Sequence, residues 1–185
     1  MCHRTLILLM TGATLVLAAC TQRSGGATQQ TQPPQQYRLT ATIQDLMNGI
    51  IDPSADVLWD SVAYIASEKG IEDRQPRTAA EWQTVRRSAI TLIEAANLLS
   101  MPGRSVAPTQ GPGGLTPAEI QQRIDSSHAA FAQFARNLQD AGLQALAAID
   151  AHNAEGLMDA GGRIDAACEA CHVTYWYPNE RRPDQ

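Results

Sequence analysis

Near its carboxyl end the chain reads ACEACHVTY, residues 167–175. Cys168 and Cys171 are three positions apart, and His172 directly follows the second cysteine. The other two cysteines of the chain lie within its first twenty residues. Spacings of three and four bring side chains onto one face of a helix, so both thiols and the imidazole should belong to a single site.

Four segments between Tyr37 and Pro178 carry a helical pattern, in which apolar residues recur at spacings of three, four or seven. The fourth segment runs from Ala154 to about Tyr177 and includes both cysteines of the motif. Four amphipathic helices with short or moderate connections predict an all-α fold, an antiparallel four-helix bundle. The stripes of the first three segments are Ile43, Met47, Ile50, Ser54, Leu58 and Ile65; then Trp82, Val85, Ala89, Leu92, Ala96 and Leu99; then Ile120, Ile124, Phe131, Phe134, Leu138, Ala145 and Ile149.

Residues that start and stop helices mark the segment boundaries. Thr78-Ala79-Ala80-Glu81 has the form of a capping box, and Thr116-Pro117-Ala118-Glu119 adds a proline at the first helical position. Pro53 should kink the first segment or split it in two. The pair His152-Asn153 separates the third and fourth segments, and Pro178 stops the fourth.

The first nineteen residues have the form of an export signal. Arg4 is followed by the apolar run 6–10, which is too short to span a bilayer. Leu17-Ala18-Ala19-Cys20 resembles the lipobox of bacterial lipoproteins, in which the cysteine is lipidated and begins the mature protein. We therefore expect a lipid anchor at Cys20 on the periplasmic side of a membrane. The alternative is an ordinary secretory signal cut near Ala19.

Composition divides the rest of the chain and limits its function. Residues 20–36 are rich in Gln, Thr and Pro without apolar periodicity, which predicts a flexible tether behind the lipidated cysteine. Residues 37–178 should form the bundle, and residues 179–185 a tail. The formal net charge of −5 argues against a basic surface for nucleic acid. No acid, base and nucleophile pattern is present, so we expect a protein that is not an enzyme.

Four chemistries compete for Cys168, Cys171 and His172. A structural zinc site needs four protein ligands, and the sequence has no second CxxC and no His pair at ligand spacing. A thioredoxin-like dithiol would follow a strand at a helix start, and a disulfide across one helical turn is geometrically poor. CxxCH is the attachment signature of c-type haem, in which the thiols add to the vinyl groups and the histidine ligates iron. Covalent haem is the favoured interpretation, and the other three stay open.

A CxxCH near the end of the last of four helices resembles the class II cytochromes c, the family of cytochrome c prime and its low-spin relatives. The resemblance covers roughly Leu39 to Pro178 and is firmest from Phe131 to Tyr175. It implies a four-helix bundle with one covalently attached haem c, contacted by Ile43, Ile50 and Tyr175. It also implies a homodimer built through the first two helices.

In that family the first helix supplies the group that faces the sixth coordination position of the iron. Gln44-Asp45-Leu46-Met47 resembles the low-spin pattern, which implies Met47 as the second axial ligand. A methionine at helical spacing is also an ordinary core residue, so an open five-coordinate iron and another ligand such as His128 are the alternatives. Many high-spin members carry a basic residue after the tyrosine that follows CxxCH, where this chain has Trp176.

A haem with His and Met in its axial positions implies one-electron transfer. The sequence therefore predicts a membrane-tethered periplasmic monohaem cytochrome that shuttles electrons between redox partner proteins. The principal alternative is a gas-binding or gas-sensing haem protein with an open distal site. A further alternative is a docking subunit of a larger oxidoreductase.

Overall fold

The structure is a computed structural model and describes residues 37–68, 70–109 and 114–178. The export signal, Cys20, the tether at 20–36 and the tail at 179–185 lie outside the described residues. Within the described part of the chain, no helix is long and apolar enough to cross a membrane.

Four long helical units form the predicted bundle, which the structure confirms. The first unit, called helix one below, spans residues 43–60 and consists of two short helices joined by a π turn. Helix one, α3, α5 and α6 form the bundle, and the short α4 contacts both α5 and α6. The elements are α1 (Ile43–Leu46), the π turn (Met47–Ile51), α2 (Asp52–Asp60), β1 (Ala63–Ser67), β2 (Gly70–Arg74), α3 (Ala79–Leu99), α4 (Pro117–Ser126), α5 (His128–Asp150) and α6 (Ala154–Tyr175).

Between helix one and α3 the chain forms a β-hairpin, a local element of the mostly helical fold that the sequence analysis did not predict. Ile65, which its spacing assigned to the first helix, lies in β1, and β1 pairs antiparallel with β2. Helix one has already ended, with the Ser61 hydroxyl donating to the Leu58 carbonyl at 2.7 Å. Tyr64 and Ile65 are residue types that favour strands, and Gly70 adopts the φ of +118° that a tight turn requires.

The third predicted segment is two helices rather than one. α4 ends at Ser126 and α5 begins at His128, because Ser127 has a non-helical backbone with φ −155° and ψ 72°. Ile124 and Phe131, on either side of the break, are both buried in the core. The apolar stripe thus continues across the break, and periodicity alone could not reveal it.

Threonine capping boxes start three of the helices. The Thr78 hydroxyl accepts the Glu81 N–H at 3.2 Å, while the Glu81 carboxylate accepts the Thr78 N–H at 2.8 Å. The Thr116 box has the same form, so both predicted helix starts are confirmed. Thr42 and Asp45 form a third box at the start of helix one. Each box satisfies N–H groups that a helix start otherwise leaves without a partner.

Pro53 interrupts the regular α geometry of helix one. A proline inside a helix lacks the N–H that would bond four residues back, and its ring collides with the carbonyl there. The preceding turn widens to π geometry, and the Asp52 N–H donates to the Met47 carbonyl five residues earlier. Pro53 then lies in the first turn of α2. The irregularity expected at Pro53 is one wide turn that begins at Met47 and joins the two α-helical parts of helix one.

A buried arginine ties the start of helix one to the end of α3. Arg104 donates through Nε to the Leu98 carbonyl at 3.0 Å and through Nη1 to the Ala41 carbonyl. The Ile43 N–H then donates to the Ser105 carbonyl at 2.9 Å. A cation is favourable at a helix carboxyl end, where carbonyls lack helical partners. These contacts determine where helix one begins relative to α3.

Small residues let α5 approach α3 and α6 closely. Gly142 of α5 packs so tightly on α3 that an added Cβ would lie 2.8 Å from Cγ1 of Ile93. Large, almost fully buried side chains such as Leu58, Leu92 and Ile164 fill the centre of the bundle. The buried alanines of the three helices are Ala89, Ala95, Ala96, Ala132, Ala135, Ala141, Ala145, Ala148 and Ala160.

Helix one contacts α6 through Trp59. The indole Nε1 donates to the Gly161 carbonyl at 3.0 Å, and a Cβ at Gly161 would lie 3.1 Å from Cδ1 of Trp59. A Cβ at the neighbouring Gly162 would meet nothing within 4 Å. Gly161 is therefore the glycine at which the two helices need the missing side chain.

The two glycines should respond differently to alanine. Gly162→Ala should raise the free energy of unfolding by about 1 kcal/mol, because alanine has the higher helix propensity. Gly161→Ala should gain less or lose stability, since its methyl group would crowd the Trp59 indole. Urea unfolding followed by far-UV circular dichroism measures both changes. Equal gains at the two positions would contradict the close packing of Trp59 on α6.

Candidate haem site

α6 carries the cysteine and histidine face. Cys168, Cys171 and His172 are each half-buried in its final turns, and both cysteines pack against the hydrophobic core. The two thiols are free and do not form a disulfide. The Trp176 ring lies edge-on to the His172 ring, with centroids 5.4 Å apart. The motif therefore combines inward-packed thiols with an imidazole held by an aromatic neighbour.

Two cavities share the space between helix one and α6. The outer cavity is a cleft of about 170 Å³ that opens to solvent, and the inner cavity is a void of about 20 Å³. Cys168 lines the inner cavity. The residues that line both cavities are Met47, Asp52, Phe131, Cys171 and His172.

Met47 belongs to the helix-one wall of this space, and Cys171 and His172 belong to the α6 wall. Met47 is half-buried and packs against the core. Ile43 lines the outer cleft before Met47, and Ile51 lines the inner cavity after it. A thioether from helix one and an imidazole from α6 thus border the same space.

Aromatic rings form one end of the space, beside His172. Tyr175 is buried and meets Phe131 edge to face at a centroid distance of 5.3 Å, and Phe134 in the same manner at 5.7 Å. Edge-to-face pairs of this kind restrict ring orientation beyond simple burial. Tyr175 is therefore held in place where it lines the outer cleft with Cys171.

Burial determines the protonation of the site. It raises the pKa of Cys171 to about 12 and that of Cys168 to about 11, the latter also through the nearby Asp52 carboxylate. Burial lowers the pKa of His172, against the opposing attraction of the Asp52 and Glu169 carboxylates. At neutral pH both thiols are protonated and the imidazole is largely neutral. Neutral imidazole is the form that binds a metal.

The donor set fits covalent haem attachment better than the other chemistries that the sequence left open. A redox dithiol needs a depressed thiol pKa, whereas both thiols here have raised values. A structural zinc site needs four ligands, and among the described residues no three His, Cys, Asp or Glu side chains are grouped to hold a metal ion. Attachment of a c-type haem uses two thiols and a histidine, and α6 provides all three beside the two cavities.

The π turn decides which isoleucines reach the site. Ile43 and Tyr175, both predicted haem contacts, line the outer cleft, whereas Ile50 lines neither cavity. Ile51 lines the inner cavity instead. A π turn contains an extra residue, so it rotates the positions that follow Met47 by part of a turn.

The other potential iron ligands line neither cavity. His128 starts α5, its Nε2 is buried without a hydrogen-bond partner among the described residues, and its ring lies 6.4 Å from that of Phe131. Met158 lines a separate surface pocket beside Trp59. Met101 accepts a contact from Arg104 at 3.4 Å. Of the methionines that the structure describes, Met47 is the one at the cleft.

Asp52 is a site residue that the sequence analysis did not identify. Its carboxylate lies close enough to affect the pKa of both Cys168 and His172, and burial raises its own pKa. Gln44, Asn48 and Asp52, at four-residue intervals, all line the outer cleft. This polar row was detectable as a helical spacing beside the apolar stripe that contains Met47.

No protein-family model matches the chain, and no curated protein matches it. Among solved structures, the chain is similar to a mutant of cytochrome c prime from Alcaligenes xylosoxidans, determined as a nitric oxide complex, with 22% sequence identity and a TM-score of 0.44. The alignment covers 75% of this chain and 98% of that chain.

Replacing the two cysteines tests what they hold. In an exporting host that attaches c-type haem, the parent chain should keep its haem after denaturation and acid–acetone extraction. The double variant Cys168→Ala/Cys171→Ala should lose all extraction-resistant haem, because no thioether can form. Thr174→Ala, on the same helix, is the control and should keep it. Extraction-resistant haem in the double variant would rule out attachment at these cysteines.

Proposed function

We propose that the chain is a class II c-type cytochrome that carries single electrons through one covalently attached haem. The proposal rests chiefly on one observation: the CxxCH residues of α6 and Met47 of helix one border the same space. Cys168 and Cys171 would hold the haem through two thioethers, and His172 would bind its iron from the α6 side. When bound, haem c supplies a one-electron couple.

The walls of the cleft suit a flat, largely apolar group. Apolar side chains reach it from helix one, from the loop after α3 and from α4; among them are Ile43, Val106, Leu115, Ile120 and Ile124. Such walls exclude water and lower the local dielectric, and both properties tune the potential of a bound redox centre. The role of α4 is to contribute to this wall between the loop and α6.

Met47 is the proposed second axial ligand. It lines both cavities with His172, and its side chain starts from the π turn, a helix irregularity often found at functional sites. A thioether and a neutral imidazole are both uncharged donors that carry no titrating proton at neutral pH. Neither side chain would therefore have to gain or lose a proton when a bound haem changed its oxidation state.

Two filled axial positions favour electron transfer over gas binding. With Met47 on one side and His172 on the other, an external molecule could bind the iron only by displacing a ligand. Tyr175 and Phe131 further restrict the end of the cleft beside the histidine. The gas-binding alternative requires an open distal site. Such a site would exist only if Met47 packed against the core without binding the iron.

The amino terminus supports a proposal for the location of the protein. We infer that Cys20 is lipidated and that residues 20–36 tether the bundle to a membrane on its periplasmic side. A flexible coil of this length spans roughly 20–25 Å, which lets residues 37–178 reach redox partner proteins while staying anchored. The support for this arrangement is the Leu17-Ala18-Ala19-Cys20 lipobox pattern.

Replacing Met47 separates the two functions. The parent chain should have a low-spin ferric spectrum with the weak long-wavelength band of methionine–iron ligation. Met47→Ala should lose that band, become high-spin and bind carbon monoxide rapidly when ferrous. Met158→Ala is the matched control, because Met158 lines a different pocket and should leave the spectrum unchanged.

A high-spin parent that binds carbon monoxide as fast as Met47→Ala would reject the electron-transfer proposal and favour the gas-binding alternative. Low-spin spectra in both the parent and Met47→Ala would assign the sixth position to another ligand. A stable copurifying oxidoreductase would instead identify the chain as a docking subunit.

Removing the lipidated side chain tests the anchor. Cys20→Ser should move the haem-stained protein from the membrane fraction to the soluble fraction, because no diacyl group can be attached. The released chain should be full-length or cleaved at a different position. Ser24→Ala, four residues on, should leave partitioning unchanged. If Cys20→Ser stays in the membrane fraction as the parent does, the lipobox assignment is wrong.

A further inference from the structure

The hairpin of β1 and β2 leaves its apolar side chains exposed. All five residues of β2 are exposed, as are the last four of β1. Tyr64 is 64% exposed, Ile65 44% and Ile71 66%. A two-stranded hairpin is at best marginally stable in water, and independent stability needs further strands or packing on a helix. The hairpin therefore exposes apolar side chains that a partner could cover, and packing against a partner would stabilise it.

The register of the hairpin sorts its side chains onto two faces. Residues that pair directly across an antiparallel ladder lie on the same face, and alternate residues of a strand lie on opposite faces. The first face carries Tyr64 opposite Asp73 and Ala66 opposite Ile71; the second carries Ala63 opposite Arg74 and Ile65 opposite Glu72.

The two edges of the hairpin differ in charge. β2 carries Glu72, Asp73 and Arg74, and charged side chains protect an edge strand from pairing. β1 contains no charged residue. Among the described residues, no backbone hydrogen bond joins residues 64–66 to any segment other than β2. Since backbone groups alternate in direction along a strand, half of those in β1 point away from β2.

We propose that the β1 edge pairs antiparallel with the β1 edge of a second copy of the chain, centred on Ile65. Ile65 would lie directly beside Ile65 of the second copy, on the face opposite Tyr64. Tyr64 would lie beside Ala66 of the second copy, whose β2 neighbour is Ile71. The two hairpins would form one four-stranded sheet with an apolar row on each face.

A second copy fits this edge because self-pairing brings no like charges together. Glu72 would lie three strand spacings from its counterpart, roughly 14 Å at about 4.8 Å per spacing, beyond the Debye length of about 8 Å at physiological salt. Pairing about the centre of β2 would instead place Glu72 directly opposite Glu72, which is destabilising. The β1 pairing has two-fold symmetry, so it closes as a dimer and does not extend into a filament.

This surface differs from the one that the resemblance to class II cytochromes implies, which uses the first two helices. The dimer goes beyond the proposed function and does not depend on the identity of the iron ligands. Its test therefore uses no redox readout.

Cysteine cross-linking tests the pairing directly. Ile65→Cys in the haem-loaded full chain should form a disulfide-linked dimer under mild oxidation, since directly opposite residues approach within the Cα separation of about 4.4–6.8 Å that a disulfide needs. Ile71→Cys is the matched control: Ile71 is more exposed, but its counterpart would lie three strands away. Equal cross-linking at the two positions would overturn the proposal.

A charge at the same position tests the dimer without cross-linking. Ile65→Lys should raise the dimer dissociation constant by at least about tenfold, because two lysines would face each other and two isoleucines would lose burial. Ile71→Lys should change it less. Sedimentation velocity measures both, with far-UV circular dichroism and haem content confirming that the variants fold.

Besides equal cross-linking, three further outcomes would overturn the proposal. The parent chain could sediment as a monomer at all concentrations, or its dimer could survive Ile65→Lys unchanged, which would place the interface elsewhere. A monomer whose hairpin amides gain exchange protection only when a different protein is added would assign the β1 edge to that protein.

Discussion

The missing N–H of Pro53 is the constraint on which the proposed site depends. An ordinary α turn cannot precede this residue without a steric clash and a lost hydrogen bond, and the chain accommodates it with a π turn that starts at Met47. The extra residue leaves Met47 at the cleft, brings Ile51 to the inner cavity and turns Ile50 away from both. Helix one can therefore offer a thioether to α6 while its two halves stay packed on the same core.

The bundle packs tightly on one side and leaves space on the other. Buried alanines and Gly142 let α5 lie close to α3 and α6. Between helix one and α6, Trp59 lies against Gly161, whereas the residues around Met47 and His172 border an open cleft. Close-packed interiors leave few voids, so this mostly apolar cleft beside the CxxCH residues is the place at which the bundle could accommodate a cofactor.

Features that depend on local chemistry could be predicted from the sequence, and those that depend on backbone geometry could not. The capping boxes at Thr78 and Thr116 start helices as predicted because they need only neighbouring residues. The hairpin was missed because Ile65 also fits a helical spacing, and the break at Ser127 was hidden because both flanking helices keep the same side toward the core. Ile50 lines neither cavity, and the sequence could not indicate this, since a proline predicts an irregularity without specifying a π turn. The CxxCH cluster needed no such geometry, because its residues are adjacent in the chain.

The proposed axial ligands differ in how they depend on folding. His172 lies beside the two attachment cysteines, so any chain that carries the haem presents this imidazole to the iron, folded or not. Met47 lies far from His172 along the chain and borders the same space only in the folded bundle, in which Arg104 joins the start of helix one to the end of α3. Ligation by Met47 would therefore contribute its binding free energy to the folded state alone, as metal ligation does when a site forms only on folding. The methionine–iron band would then report on closure of the bundle, while haem content would report only on attachment.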